Sequence, residues 1–156
     1  PTYYKTLALV DESVKELRSV SHDLMPRAVY RKGLAVSLAE IVDKIDYNRL
    51  RVHLNVEGIT PQLDSNIQLM VYRIIQESLN NINKHANASS IFLKLYIEDG
   101  FLFLTIKDNG VGFNLTKLKT GIGLNNMESR AESINGRIKI SSEINKGTSV
   151  ILKVKL

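Results

Sequence analysis

The chain has 156 residues, 44% apolar and 24% charged, with no cysteine and a formal net charge of +5. That length supports one domain, with or without an appendage, around a core of ordinary size. Disulfide and thiolate chemistry are excluded, the three scattered histidines do not make a structural zinc site, and no apolar run reaches the roughly 18 residues of a membrane span.

From the N-terminus, Leu7, Val10, Val14, Leu17 and Leu24, with Ser21 in the remaining seat, follow the 3-4 spacing of a heptad seam. Pro26 stops this helix. Two and a half heptads do not hold a coiled coil alone, so the segment reads as the end of a longer dimerisation helix. The segment lacks a signal-peptide layout, and the start at Pro1 without Met suggests a piece of a longer protein. In "GLAVSLAEIVDKI", Leu34, Leu38, Ile41, Val42 and Ile45 share one face of an amphipathic helix. "LRVHLNVEG" alternates Leu50, Val52, Leu54 and Val56 with Arg51, His53 and Asn55, the period of a strand. Ser65 is placed to cap a long helix running to about His85 and closed by Ala86-Asn87.

"IFLKLYI" and "FLFLTIKD" form a hairpin across Asp99-Gly100. After a loop, a helix from about Leu124 to Ile134 ends at Asn135-Gly136, and "RIKIS" pairs with "TSVILKVKL" across "SEINKG". Strand, helix, two strands, helix, two strands predicts an α/β (α+β) two-layer sandwich, a mixed sheet covered by helices on one face. The expected division is 1–30 for the helical piece and linker, and 31–156 for the domain.

"RIIQESLNNINKHANAS" is an odd helix. It carries four asparagines, which compete with the backbone for hydrogen bonds and are poor helix formers. On a 100° wheel, Ile67, Met70, Val71, Ile74, Ser78 and Ile82 face the sheet, and Glu77, Asn81 and Lys84 fall along the border of that face. Glu77 and Asn81, one turn apart, form an oxygen pair suited to Mg²⁺ that keeps waters and phosphate oxygens as its other ligands. For any one asparagine a solvated side chain is the plain alternative, and the wheel packs His85 on the apolar side. In "TIKDNGVGF", Asp108 at a strand end can accept from an exocyclic amine such as that of adenine, and Gly110 and Gly112 allow a tight turn and close approach. "TGIGLNNM" opens a helix whose free N–H groups suit phosphate. Each signal alone is weak; their order on these elements is specific.

Together "QESLNNINKHA", "DNGVGF" and "GIGLNNM" resemble the N, G1 and G2 boxes of sensor histidine kinases, within the superfamily of gyrase, Hsp90, histidine kinases and MutL and its Bergerat ATP-binding fold. The wording is most similar to a histidine kinase subfamily that signals to response regulators with helix-turn-helix outputs. The resemblance covers residues 12–156. It implies that Asn81 coordinates the Mg²⁺ bridging the ATP phosphates, with Glu77 beside it and Lys84 and His85 at the phosphate end. It also implies that Asp108 reads adenine above the Gly110 and Gly112 turn, that Gly121, Gly123 and Leu124 form the hinge and helix start under the phosphates, and that Thr148 lies near the base. The loop from Asn114 to Thr120, with Lys117 and Lys119, corresponds to a short basic lid without the aromatic-rich F box of commoner kinases.

His22, in "SVSHDLMP", echoes a phosphoacceptor motif. Only 59 residues separate it from Asn81, and its surroundings align by pattern with a second dimerisation helix, so the acceptor is expected upstream of Pro1. The resemblance further implies a response regulator receiver domain and a homodimer through the N-terminal helix as partners, in the cytoplasmic portion of a protein with or without a membrane anchor. An ATPase or anti-sigma-type serine kinase is the rival within the superfamily, and a dimerisation module that has lost ATP is the non-enzymatic rival. The basic excess is concentrated C-terminally, with 9 basic and 8 acidic side chains over residues 1–62 against 12 and 8 over 63–156. A bound polyphosphate accounts for that as well as nucleic acid does, and no basic run with interleaved aromatics marks a nucleic-acid binder.

Overall fold

The computed structural model describes residues 27–46, 49–114 and 122–156. The heptad segment with Pro26 and His22, the greater part of the lid loop with Lys117 and Lys119, and Gly121 lie outside the described residues. In chain order the elements are α1 (Arg27–Lys32), α2 (Leu34–Asp43), β1 (Arg51–Glu57), α3 (Ser65–Asn81) running into a π-turn (Ile82–Ala86), β2 (Ser90–Glu98), β3 (Phe101–Asp108), α4 (Ile122–Ser133), β4 (Gly136–Glu143) and β5 (Gly147–Lys155). The expected boundary between residues 30 and 31 falls inside α1, and Val29 of that helix is part of the core.

The five strands lie in the order β1-β2-β3-β5-β4, with β1 parallel to β2 and all other pairs antiparallel. This is the mixed sheet expected. Both hairpins turn where the sequence places left-handed residues: Asp99 and Gly100 have φ of 49° and 74°, and Asn145 has φ of 65°. Alternation puts one row of side chains per pair of residues on the helix-covered face. Val56, Leu95, Leu104, Leu152 and Ile138 form one such row, and Leu54, Leu93, Ile106, Val150 and Ile140 the next. The opposite face carries exposed residues such as Arg51, Phe92, Lys107 and Lys153.

Against the inner rows lies α3, on the face that the wheel identifies: Val71, Ile74, Ser78 and Ile82 are buried. The helix also buries a second face, Gln68, Tyr72, Ile75 and Leu79, which the single-stripe reading missed. Gln68 explains part of it. Its Oε1 accepts the Leu34 N–H at 2.9 Å, and its Nε2 donates to Leu63 O at 2.7 Å and Pro61 O at 3.3 Å, so a polar residue ties α3 to the start of α2. With those partners it is buried without loss.

The cap of α3 also differs from expectation. Asp64, not Ser65, is the N-cap: its Oδ1 accepts from Asn66 N at 2.9 Å and Ile67 N at 3.0 Å, and Ser65 is the first helical residue. A carboxylate there satisfies two free donors and faces the positive end of the helix. Asp64→Ala is expected to cost about 1 kcal/mol in urea unfolding, and Ser65→Ala only a few tenths. A larger loss from Ser65→Ala than from Asp64→Ala would return the cap to Ser65.

Candidate functional site

Where β3 ends, the inner rows turn polar. Asp108 is paired with Ile91 and occupies the next inward position after Ile106, and Ser142 is paired with Thr148 on the neighbouring hairpin. A position that the alternation reserves for an apolar side chain therefore holds a carboxylate, only 8% exposed. Its Oδ1 accepts the Gly110 N–H at 2.7 Å, and it takes a second backbone N–H from Thr148. Burial pushes the Asp108 carboxyl above its ordinary value, and the two N–H donors from Gly110 and Thr148 pull the other way without cancelling it.

Beyond Asp108 the chain packs backbone on backbone. A β-carbon on Gly110 would lie 2.2 Å from Ala86 O, and one on Gly112 (φ 58°) would lie 2.0 Å from Glu143 O. Gly147 (φ 82°), which sequence reasoning did not single out, would place one 2.0 Å from Asp108 O. Val111 N donates to Ala86 O at 2.7 Å, locking the turn onto the end of the π-turn. Asn109 faces away from the cavity: its Oδ1 accepts from Ser89 N and Ser90 N at 3.0 and 2.9 Å, pinning the turn to the start of β2.

These elements enclose a cavity of about 510 Å³, within the range of small-molecule sites. Its apolar lining comes from Ile82, Ala86, Ile106, Met127, Ile140 and Val150. Polar groups enter from three sides: Asp108 and Thr148 from the sheet, Asn81 and His85 from the end of α3, and the backbone of Gly123 and Leu124 from the start of α4. Ser78 Oγ donates to Ile74 O at 2.8 Å and lies 3.4 Å from Met127 Sδ, which seats α4 on α3. Gly123 lies against the α3 pair. A β-carbon there would be 2.3 Å from Glu77 Oε1 and 3.6 Å from Asn81 Nδ2, so both side chains converge on the first turn of α4.

Of the residues expected at the site, Asn81, His85, Asp108, Gly112, Gly123, Leu124 and Thr148 line the cavity. Glu77 borders it through Gly123. Gly110 supports the floor from behind, Lys84 is exposed and away from the lining, and Gly121 lies outside the described residues. His85 corrects the wheel: it is exposed and lines the cavity rather than packing in the core. The i→i+5 turn over Ile82–Ala86 turns the chain through less than 100° per residue, so side chains after Ile82 fall behind the wheel. Phe113 and Ile122 also line the cavity and flank the loop between them; no periodicity marks them in the sequence.

An apolar slot with a buried acceptor at its sheet wall, and with the Glu77 carboxylate, the Asn81 amide and a helix N-terminus together at its α4 side, has the build of a nucleotide-binding domain. A profile of the family described as histidine kinase-, DNA gyrase B-, and HSP90-like ATPases matches residues 66–156, and the chain belongs to that family. It is 33% identical to the sensor histidine kinase MctS of Rhizobium johnstonii over 135 residues, covering 83% of this chain and 29% of that protein. It is 29% identical over 151 residues to the oxygen sensor histidine kinase NreB of Staphylococcus carnosus, covering 95% of this chain and 44% of that protein. The chain thus spans less than half the length of either relative. In fold it is similar to full-length ShkA solved in complex with AMPPNP (TM-score 0.62, 17% identity, 78% of this chain and 29% of that one). Among the described residues no helix is long and apolar enough to cross a membrane.

The raised Asp108 value sets a signed prediction. A carboxyl bound more tightly to its proton in the folded state contributes fully to stability at low pH, and that contribution is lost as pH rises through the folded value. Carbon-13 NMR of the Asp108 carboxyl should therefore give a midpoint above 3.8. Relative to Asp108→Asn, the wild type should lose stability as pH rises through that midpoint. A pH-independent difference would contradict the placement of this charge.

Proposed function

We propose that this chain is the ATP-binding catalytic portion of a sensor histidine kinase. It would bind ATP with Mg²⁺ and direct the γ-phosphoryl group to a histidine other than His22, upstream of Pro1 in the parent protein, for relay to the receiver domain of a response regulator. The observation that carries the reading is the convergence of Glu77 and Asn81 on Gly123, at the first turn of α4.

The residues fit the metal in a particular way. Among the described residues no cluster of three or more His, Asp or Glu could hold an ion unaided. Mg²⁺ prefers six oxygens and commonly takes most of them from water and phosphate, so a protein contribution of the Asn81 amide oxygen with the Glu77 carboxylate nearby suits an ion that arrives with its nucleotide. When bound, the ion would neutralise charge on the phosphoryl group in flight. The chain's own groups supply the positioning. The α4 N–H groups orient phosphate oxygens, Asp108 accepts from the adenine amine, and the apolar lining holds the ring and excludes water. In the transfer the bond from the β,γ-bridging oxygen to phosphorus breaks as an imidazole nitrogen bonds to phosphorus, leaving ADP and phosphohistidine. The acceptor helix of a partner protomer in a homodimer would present that imidazole, in the cytoplasmic part of the parent protein.

In the full-length protein, incubation with γ-labelled ATP should yield acid-labile, base-stable phosphate. Asn81→Ala should lower its formation by at least about 10²-fold without loss of the folded domain. Phosphoserine, or label release as free phosphate alone, would favour the serine kinase or ATPase reading. Unchanged labelling in Asn81→Ala would remove Asn81 from the machinery.

A further inference from the structure

Ser142 does not line the cavity, yet it stands directly behind two residues that do. Its Oγ accepts the Phe113 N–H at 2.9 Å, lies 3.0 Å from Gly147 O and lies 3.0 Å from Thr148 Oγ1. A hydroxyl has one proton to donate and two lone pairs to accept with. Gly147 O can only accept, and Phe113 N–H can only donate. All three contacts are hydrogen bonds at once in one arrangement alone: Ser142 donates to Gly147 O, and Thr148 donates to Ser142. The Thr148 proton then points away from the cavity, and what Thr148 turns toward it is a lone pair. Beside it the Asp108 carboxylate is also an acceptor, held there by the Gly110 and Thr148 backbone N–H groups.

We infer that Ser142 sets the hydrogen-bond polarity of Thr148, so that the Asp108–Thr148 wall presents acceptors only and selects a purine with a 6-amino group over one with a 6-oxo group. The inference rests on the nucleotide reading of the cavity and adds to it a positioning residue for base specificity. An exocyclic amine has two N–H groups to meet two acceptors. A 6-oxopurine keeps one donor, its N1–H, and turns its carbonyl lone pairs toward the other acceptor, so one of the two wall groups is left unpaired, and a site built for one partner discriminates in that way. Ser142→Ala removes the acceptor that holds the Thr148 proton, and the freed hydroxyl can turn and donate to an oxo group. A merely structural role would weaken both purines alike.

The test is calorimetric titration of the chain with ADP and with inosine diphosphate, each with Mg²⁺, for wild type, Ser142→Ala, Ser142→Thr and Thr148→Val. Wild type should favour ADP. Ser142→Ala should lower the ADP-to-inosine preference about five-fold, the worth of one ordinary hydrogen bond, partly by improving the inosine nucleotide. Ser142→Thr, which keeps the hydroxyl, should restore the preference. Thr148→Val should lower it as well, and adding Ser142→Ala to Thr148→Val should change it no further. An unaltered preference in Ser142→Ala, or in Thr148→Val should the alanine variant fail to fold, overturns the inference while leaving the nucleotide site standing. Failure of wild type to bind ADP removes that site, and the inference with it.

Discussion

The cavity depends on how β3 is stopped. At Asp108 the sheet's inner face would otherwise close with another apolar residue; instead a carboxylate is held in place by backbone N–H groups from Gly110 and Thr148. The turn that follows fits only because Gly110, Gly112 and Gly147 let three backbones approach more closely than a β-carbon permits. Those contacts fix the distance between the sheet wall and the end of α3, and so the width of the slot. The desolvation that lifts the Asp108 carboxyl is the cost of putting a strong acceptor inside an apolar site. An incoming donor would offset it, and water would do so less selectively.

Much of this was legible in the chain because it is written in local chemistry. Two-residue alternation marked the strands, Asp99-Gly100 and Asn135-Gly136 marked turns that need left-handed φ, and Asp99, Gly100 and Asn135 adopt it. The second buried face of α3 was not legible. Gln68 reads as a surface residue until the Leu34 N–H, brought by tertiary packing, and the nearby Pro61 and Leu63 carbonyls are seen to take all its polar atoms. Asp64 and Ser65 are both good caps, and only backbone geometry decides between them.

At the site, helical spacing placed Glu77 and Asn81 together, and the structure brings both to Gly123. His85 was misplaced because a π-turn has no periodicity of its own to read. Ser142 and Gly147 escaped notice for a different reason: their importance arises from strand register, which sets Ser142 opposite Thr148 and Gly147 against Asp108. Asn109 stands in the middle of the most telling motif, yet it anchors the backbone of Ser89 and Ser90 and takes no place on the cavity wall.

We propose that one cavity holds an adenine nucleotide, with Asp108 at the base and a metal-bound phosphate chain at Asn81. Calorimetric titration with a non-hydrolysable ATP analogue, with and without Mg²⁺, on wild type and Asp108→Asn tests it most directly. Binding should be strengthened by Mg²⁺ in the wild type and abolished in Asp108→Asn. Binding of equal strength in both proteins, indifferent to Mg²⁺, would contradict it.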